Sequence, residues 1–318
     1  MLILNGLSTH YKFYQMQTLH KLIVLLIIFT IGCKSNSDKE LPLETQKTEV
    51  QGHRGDRGNL PENTLEGFLS ALHKGVDVIE LDVVISKDGK VVVSHEPYMS
   101  SLYMSKPSGD PILKTEELSY NLYQMNYDSI KSFDSGSRGN INFPDQKNLK
   151  SFKPLLSDVF NTIENEIKQK RLPPVKYNIE LKSNKKVYGV YQPLPEDFVS
   201  LVMQIVYDSQ LKDQITIQSF DPILLNIVHQ KHPRIEIAYL VSNAGIQKNM
   251  GLLNFKPQIY SPNFQLLKTQ KIIDSIKSLQ MKVIPWTVNN EKDIDQMILL
   301  NVDGIITDYP ERVLKALQ

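Results

Sequence analysis

Two stretches place ionisable side chains where packing alone would not put them. In "VDVIELDVVIS" (Val76–Ser86), Glu80 and Asp82 are two residues apart, and in "VKYNIELKS" (Val175–Ser183) so are Glu180 and Lys182. Side chains of a strand alternate between its faces, so each pair points the same way. Ionised groups in an apolar interior are costly unless they are paired or coordinate a metal. Two further runs bring histidines: "TEVQGH" (Thr48–His53), followed by Arg54, and "VVVSHEP" (Val91–Pro97), which carries His95. Glu80, Asp82 and Glu180, with no thiolate among them, suit a hard divalent cation, Ca2+ or Mg2+. Arg54 and Lys182 suit phosphate oxygens. His53 and His95 suit an acid and a base in one reaction. This inventory points to cleavage of a phosphate ester.

Such groups must be brought together by the fold. Besides the three runs that begin at Thr48, Val76 and Val175, strand-like segments recur at Gln214–Phe220, Ile235–Ser242, Gln258–Phe264, Lys282–Val288 and Asp303–Pro310. Amphipathic helical patterns lie between most of them, as in "NTLEGFLSALHKG", where Leu65, Phe68, Leu69 and Leu72 share a face. Asn63 and Glu66 read as a capping box there, and Gly75 as its C-terminal cap. Strand–helix alternation repeated eight times predicts an α/β fold, a closed (β/α)8 TIM barrel, with an open doubly wound sheet as the alternative. In such a barrel the active site forms at the C-terminal ends of the strands, where His53, Arg54, Asp82, Glu180 and Lys182 fall. Val91–His95 follows "SKDGK" too closely for a parallel strand, so it reads as an antiparallel hairpin arm after strand 2. A loop of Asp88-Gly89 alone would set Asp82 opposite His95. The polar stretch of about residues 98–153 interrupts the rhythm and reads as a small insertion over the barrel mouth.

Other residues have plainer expectations. Gly52 and Gly55 would let the backbone approach a bound phosphate. Glu62 would orient Arg54 or touch the site. Trp286, near the end of the seventh strand, would wall a substrate pocket, and Gln218 and Asn289 would line the mouth. Asp303 and Asp308 read as turn and cap residues, and His73, His229 and His232 as solvated helix residues.

The 318 residues carry a formal net charge of +1, which argues against a nucleic-acid binder. The single cysteine, Cys33, excludes an internal disulfide. It directly follows "LIVLLIIFTIG" (Leu22–Gly32). That run would be about 16 Å long as a helix, too short for a bilayer core of about 30 Å and suited to a secretory signal. Small Gly32 before Cys33 resembles the cleavage site of bacterial lipoprotein signals. Residues 1–32 are therefore expected to be a lipoprotein-type signal peptide, with Met16 as a start that gives it ordinary length. Residues 33–47 read as a polar tether and 48–318 as the barrel. The expected location is the bacterial cell envelope, periplasmic or surface-facing, with a lipid anchor at Cys33.

Taken in order, "GHRG", "PENT", "IELDV", the histidine after "VVVS", "NIELK", "QSFDP", "WTVN" and "DGIITDYP" resemble the glycerophosphodiester phosphodiesterase family, from about Gln51 to Pro310. The resemblance implies a phosphodiesterase barrel that releases sn-glycerol 3-phosphate and an alcohol from small-molecule glycerophosphodiesters. It implies metal binding by Glu80, Asp82 and Glu180, acid–base work by His53 and His95, and phosphate contact by Arg54 and Lys182. Glu96 follows His95 where the family usually has aspartate. Two other readings stand beside this one: a phospholipase D-like barrel acting on lysophospholipids, and a non-catalytic envelope lipoprotein that binds glycerol-phosphate polymers.

Overall fold

The computed structural model describes residues 47–318. The expected signal peptide, Cys33 and nearly all of the expected tether lie outside the described residues. Among the described residues nine strands form one sheet: Glu49–Gly52 (β1), Val78–Ile85 (β2), Val91–Val93 (β3), Lys176–Leu181 (β4), Ile215–Ser219 (β5), Glu236–Val241 (β6), Ile259–Pro262 (β7), Lys282–Val283 (β8) and Gly304–Thr307 (β9). Eight of them run parallel in the order β8-β7-β6-β5-β4-β2-β1-β9, and β3 pairs antiparallel with β2 off this path. The sheet curls nearly into a barrel. Backbone bonds bridge its ends, from Asp303 N to Val283 O (2.9 Å) and from Ile306 N to Pro285 O (3.0 Å). The seventh expected strand is regular over two residues only, because Pro285 has no N–H to donate to the ladder.

The α-helices between the strands are Leu65–Lys74 (α1), Tyr127–Lys131 (α2), Leu156–Lys170 (α3), Pro195–Asp208 (α4), Pro222–Lys231 (α5), Ile246–Met250 (α6), Gln270–Lys277 (α7) and Glu291–Leu299 (α8), and Pro310–Ala316 (α9) follows the last strand. Their apolar faces close the main core against the outside of the sheet. Phe68 and Ala71 of α1, Val159 and Ile163 of α3 and Phe198 and Val202 of α4 are buried in it. Each such aromatic or branched side chain contributes about 1.5–3 kcal/mol by leaving water. A second, smaller cluster inside the barrel joins Ala238, Ile259, Ile284 and Ile306, with Trp286 packed on top.

Two local expectations are corrected. The N-cap of α1 is Thr64, whose Oγ1 accepts from Gly67 N at 3.1 Å; Asn63 lies outside the helix in the left-handed region, φ 55°. The hairpin pairs Val83 with Val93 and Ile85 with Val91, so Asp82 stands opposite Ser94 rather than His95. The reason is a three-residue loop, Lys87–Gly89, with Gly89 at φ 72°, in place of a two-residue turn.

The chain between β3 and α3 packs as a unit with its own buried cluster, including Met99, Met104, Leu122, Ile130 and Phe133, set against Val84 and Val92. Gln146 ties it to the loop after β1 by donating to Arg57 O (2.7 Å) and Leu60 O (2.9 Å).

Candidate active site

Glu80, Asp82 and Glu180 converge inside the barrel. One ligand atom from each lies within 4.8 Å of the others, and all three residues are buried. The parallel register explains the convergence: Asp82 is level with Glu180, and Glu80 with Asn178. A hydrogen-bonded floor lies beneath. Asn178 Nδ2 donates to Gln51 Oε1 (2.8 Å) and Gln218 Oε1 (3.1 Å), and Gln218 Nε2 donates to Glu80 Oε1 (2.7 Å). Gln218 is thus buried under the carboxylates and orients one of them.

The electrostatics of this trio suit a hard cation. Burial, then the charges of Asp82 and Glu180, push the Glu80 carboxyl well above its ordinary value. Burial also raises Glu180, with Lys182 opposing and Asp82 adding to it. Burial would raise Asp82 too, but Arg54, His95 and Lys182 outweigh it and hold that carboxyl far below the usual range. Asp82 Oδ1 is buried without a hydrogen-bond partner. An orphaned ionised acceptor inside an oxygen-only donor set is what Ca2+ or Mg2+ would satisfy, and Glu80, Asp82 and Glu180 would hold it.

Cations surround the carboxylates. Arg54 donates from its backbone N to Glu80 Oε2 (2.9 Å) and from Nη1 to Glu62 Oε1 (2.7 Å). Its Nε is 3.2 Å from Asp82 Oδ2. Glu62 also accepts from Arg57 Nε (2.7 Å), so it orients two guanidinium groups. Lys182 Nζ is 2.8 Å from Glu180 Oε1 and 3.8 Å from Asp82 Oδ1. Asn63, whose backbone N–H binds Arg54 O, donates from Nδ2 to Asp82 Oδ2 at 2.8 Å. It is an anchor for a site carboxylate, not the expected cap, and its left-handed backbone is what turns its amide inward. The two glycines at this turn leave no room for a side chain. A Cβ on Gly52 would lie 2.7 Å from Gly55 O, and one on Gly55 would lie 2.7 Å from Gly67 C. They let the turn after β1 fold tightly against α1.

Each histidine has a carboxylate at Nδ1. His53 Nδ1 is 2.6 Å from Asp308 Oδ1, and His95 Nδ1 is 2.8 Å from Glu96 Oε1. Burial would raise Asp308, but the charge and hydrogen bond of His53, with Arg57 and Asn289, hold it well below the usual carboxylate range. An ionised carboxylate only accepts, so Nδ1 of His53 carries the proton and Nε2 is left as a free acceptor. Burial lowers the His53 pKa from its ordinary 6.5, Asp308 opposes this, and Arg54 and Arg57 add to it. Asp308 is therefore a partner of His53, not merely a turn residue. Its position directly after β9 matches that of His53 after β1, and this equivalence is a signal the sequence does carry. Asn289 supports it, donating from Nδ2 to Asp308 Oδ2 at 2.7 Å.

Behind His95, Tyr103 donates its hydroxyl to Glu96 Oε2 (3.0 Å). Lys153 Nζ donates to Ser94 Oγ at 2.7 Å. Both come from the chain between β3 and α3, and neither was expected from sequence. Trp286 donates from Nε1 to Ser261 O (2.9 Å) and meets Phe220 edge-on at 5.2 Å. His73 is 2.7 Å from Glu166, His232 bonds Tyr207 and His229 stacks on Phe255, all away from the site.

Known proteins place this arrangement. The model of the glycerophosphoryl diester phosphodiesterase family matches residues 53–312. A glycerophosphodiester phosphodiesterase of Bacillus altitudinis is 30% identical over 270 residues, covering 84% of this chain and 97% of the relative. A solved Silicibacter pomeroyi structure, provisionally described by the same activity, superposes with a TM-score of 0.76 at 28% identity, over 86% of this chain and 93% of that one. An Oleispira antarctica phosphodiesterase, solved in complex with the product sn-glycerol-3-phosphate, shares the fold with a TM-score of 0.67 at 22% identity, over 85% and 96% of the two chains. With a matching family model over most of its length and relatives covered almost end to end, the chain belongs to the glycerophosphoryl diester phosphodiesterase family and is a glycerophosphodiester phosphodiesterase.

Proposed function

We propose that the protein hydrolyses soluble glycerophosphodiesters to sn-glycerol 3-phosphate and an alcohol, with a divalent cation at Glu80, Asp82 and Glu180 and with His53 and His95 as base and acid. The observation that carries this reading is the convergence of the three buried carboxylates with Arg54 and Lys182. The cation would neutralise charge that develops on the phosphoryl oxygens. Arg54 and Lys182 would bind those oxygens and fix the phosphorus between the histidines.

His53, kept neutral by burial and its arginine neighbours, takes the proton of the glycerol hydroxyl next to the ester at Nε2. The hydroxyl oxygen bonds to phosphorus, the bond from phosphorus to the alcohol oxygen breaks, and that oxygen takes a proton from Nε2 of His95. Water then opens the cyclic phosphate with the roles exchanged: His95 accepts the water proton and His53 returns its proton to the glycerol oxygen. The sum is one diester and one water giving glycerol 3-phosphate and one alcohol. Trp286 offers an apolar wall to the glycerol carbons. The Oleispira protein, which binds this product, is consistent with the reading.

The test is release of glycerol 3-phosphate from glycerophosphocholine, glycerophosphoethanolamine, a lysophospholipid and a diacyl phospholipid. Both soluble diesters should react, and the diacyl lipid should be a poor substrate because it lacks free glycerol hydroxyls. A clear preference for either lipid over both soluble diesters would replace this reading with a lipase.

We also infer that Cys33 is lipidated and anchors the protein at the cell envelope. An acyl chain contributes about 0.8 kcal/mol per buried CH2, so two or three chains hold a barrel firmly. Cys33→Ser should move the protein from the membrane to the soluble fraction. An unmodified, soluble wild type by mass spectrometry would end this proposal.

A further inference from the structure

Beside the phosphate-binding groups opens a pocket of about 500 Å³ that shares His95, Glu180 and Lys182 with the site. Most of its remaining walls are apolar or aromatic, with Tyr98 and Leu118 from the chain after β3, Val187 and Tyr191 from the loop after β4 and Phe220 just past β5; Ser183 and Asn184 add polar groups. The Tyr98 and Tyr191 rings meet edge to face at 6.4 Å. The pocket is built rather than incidental. Asn121 Nδ2 donates to Val190 O at 2.8 Å, tying the two loops together. Gln192, fully buried, donates to Lys182 O (3.0 Å) and accepts from Ile85 N (3.1 Å), which fixes the chain next to Tyr191.

A diester whose phosphorus lies at Arg54 and Lys182 sends one ester arm into this pocket. Glycerol matches it less well: beyond the shared site groups its hydroxyls would find Ser183 and Asn184 as polar partners among otherwise aromatic and aliphatic walls. A polyol alcohol meets the same objection. The aromatic faces suit a cation that has no hydrogen bonds to lose. Carboxylates stand close by as counter-charge to such a cation: Glu180 in the lining, paired with Lys182, and Glu96, paired with His95.

We propose that this pocket is the subsite for the leaving alcohol and that it selects a choline-type quaternary ammonium head group, with Tyr98, Tyr191 and Phe220 as its aromatic walls. The proposal rests on the diesterase reading above and adds a preference to it. His95, at the pocket floor, is then the group that protonates the departing alcohol.

The experiment compares kcat/KM for glycerophosphocholine, glycerophosphoinositol and the neutral choline isostere glycerophospho-3,3-dimethylbutanol, in the wild type and in Tyr191→Ala and Tyr191→Phe. The wild type should favour the choline diester over both others. In Tyr191→Ala the choline-to-inositol ratio should fall about tenfold, between the worth of an exposed and of a desolvated cation–aromatic contact. Tyr191→Phe, which keeps the ring, should retain the ratio. An isostere as good as choline, or a ratio unmoved in Tyr191→Ala, would overturn the subsite. A wild type that releases glycerol 3-phosphate equally from all three would sink the pocket alone. One that releases it from none, with Ca2+ or Mg2+ present, would sink the diesterase reading beneath it.

Discussion

Excess chelator should take turnover of glycerophosphocholine to background, and Ca2+ or Mg2+ should restore it. The expectation follows from three carboxylates crowded within 4.8 Å, one of them with an orphaned buried oxygen. Without a cation the neighbouring Arg54, His95 and Lys182 are left to offset their repulsion, and the phosphoryl charge has lost its largest counter-charge. A second readout separates this from a cation acting on substrate alone. A ligand at about 100 times its Kd stabilises the native state by about 2.7 kcal/mol, or about 5–10 °C in Tm for a domain of this size. The sign with pH is fixed by the raised values of Glu80 and Glu180. Their contribution to the cation-free fold is present below the ordinary carboxyl range and is lost as pH rises through the raised values. A cation must displace those protons, so the Tm gain on adding it should grow as pH rises through the same window. Full activity in excess chelator, or a Tm indifferent to cation at every pH, would remove the metal from this site.

The sequence makes some of this site legible and hides the rest for physical reasons. Glu80, Asp82, Glu180 and Lys182 stand out because strand periodicity is two, and charges repeated at that period on a buried strand are too costly to persist without a counter-charge or an ion. The barrel itself is legible from repeated strand–helix alternation, although β8 shrinks to two residues where Pro285 interrupts the ladder. What escapes is register and partnership over long separations. Asp308 lies 255 residues from His53 and joins it only when β9 closes beside β1. Asn63 satisfies every local rule for a helix cap, but its neighbour Thr64 takes that role and frees the amide for Asp82. The hairpin slipped by one residue from expectation because loop length, not the Asp88-Gly89 pair alone, sets pairing. Lys153 and Tyr103 sit in a stretch with no periodicity, so nothing short of the fold reveals that they lie behind His95.

His53→Ala and His95→Ala should each lower kcat by about 10²–10⁴-fold, the usual worth of a positioned proton acceptor or donor, with the circular dichroism spectrum unchanged. The more searching variant is Asp308→Asn, which keeps the shape of the partner but removes its charge. The His53–Asp308 contact of 2.6 Å selects the tautomer with the proton on Nδ1. An amide can present either its oxygen or its N–H there, so the productive tautomer is no longer enforced and kcat should fall by about 10²-fold or more. The pH profile gives an independent sign. His53 acts as base only when neutral, so activity should be full above its folded pKa and fall as pH drops through it, below the ordinary 6.5. Stability follows the same direction, because the unfolded chain binds this proton more readily than the folded one and gains from acid. Asp308 is the one named neighbour that raises the His53 value, against burial, Arg54 and Arg57. Its neutralisation should therefore move the acid limb of kcat/KM to lower pH while the plateau falls. Loss of the carboxylate as a purely structural strut would lower the plateau without moving the limb. An unmoved limb would make Asp308 a strut only, an upward-shifted limb in a folded Asp308→Asn enzyme would take His53 out of the role of base, and a folded His53→Ala enzyme with wild-type kcat would take it out of the reaction.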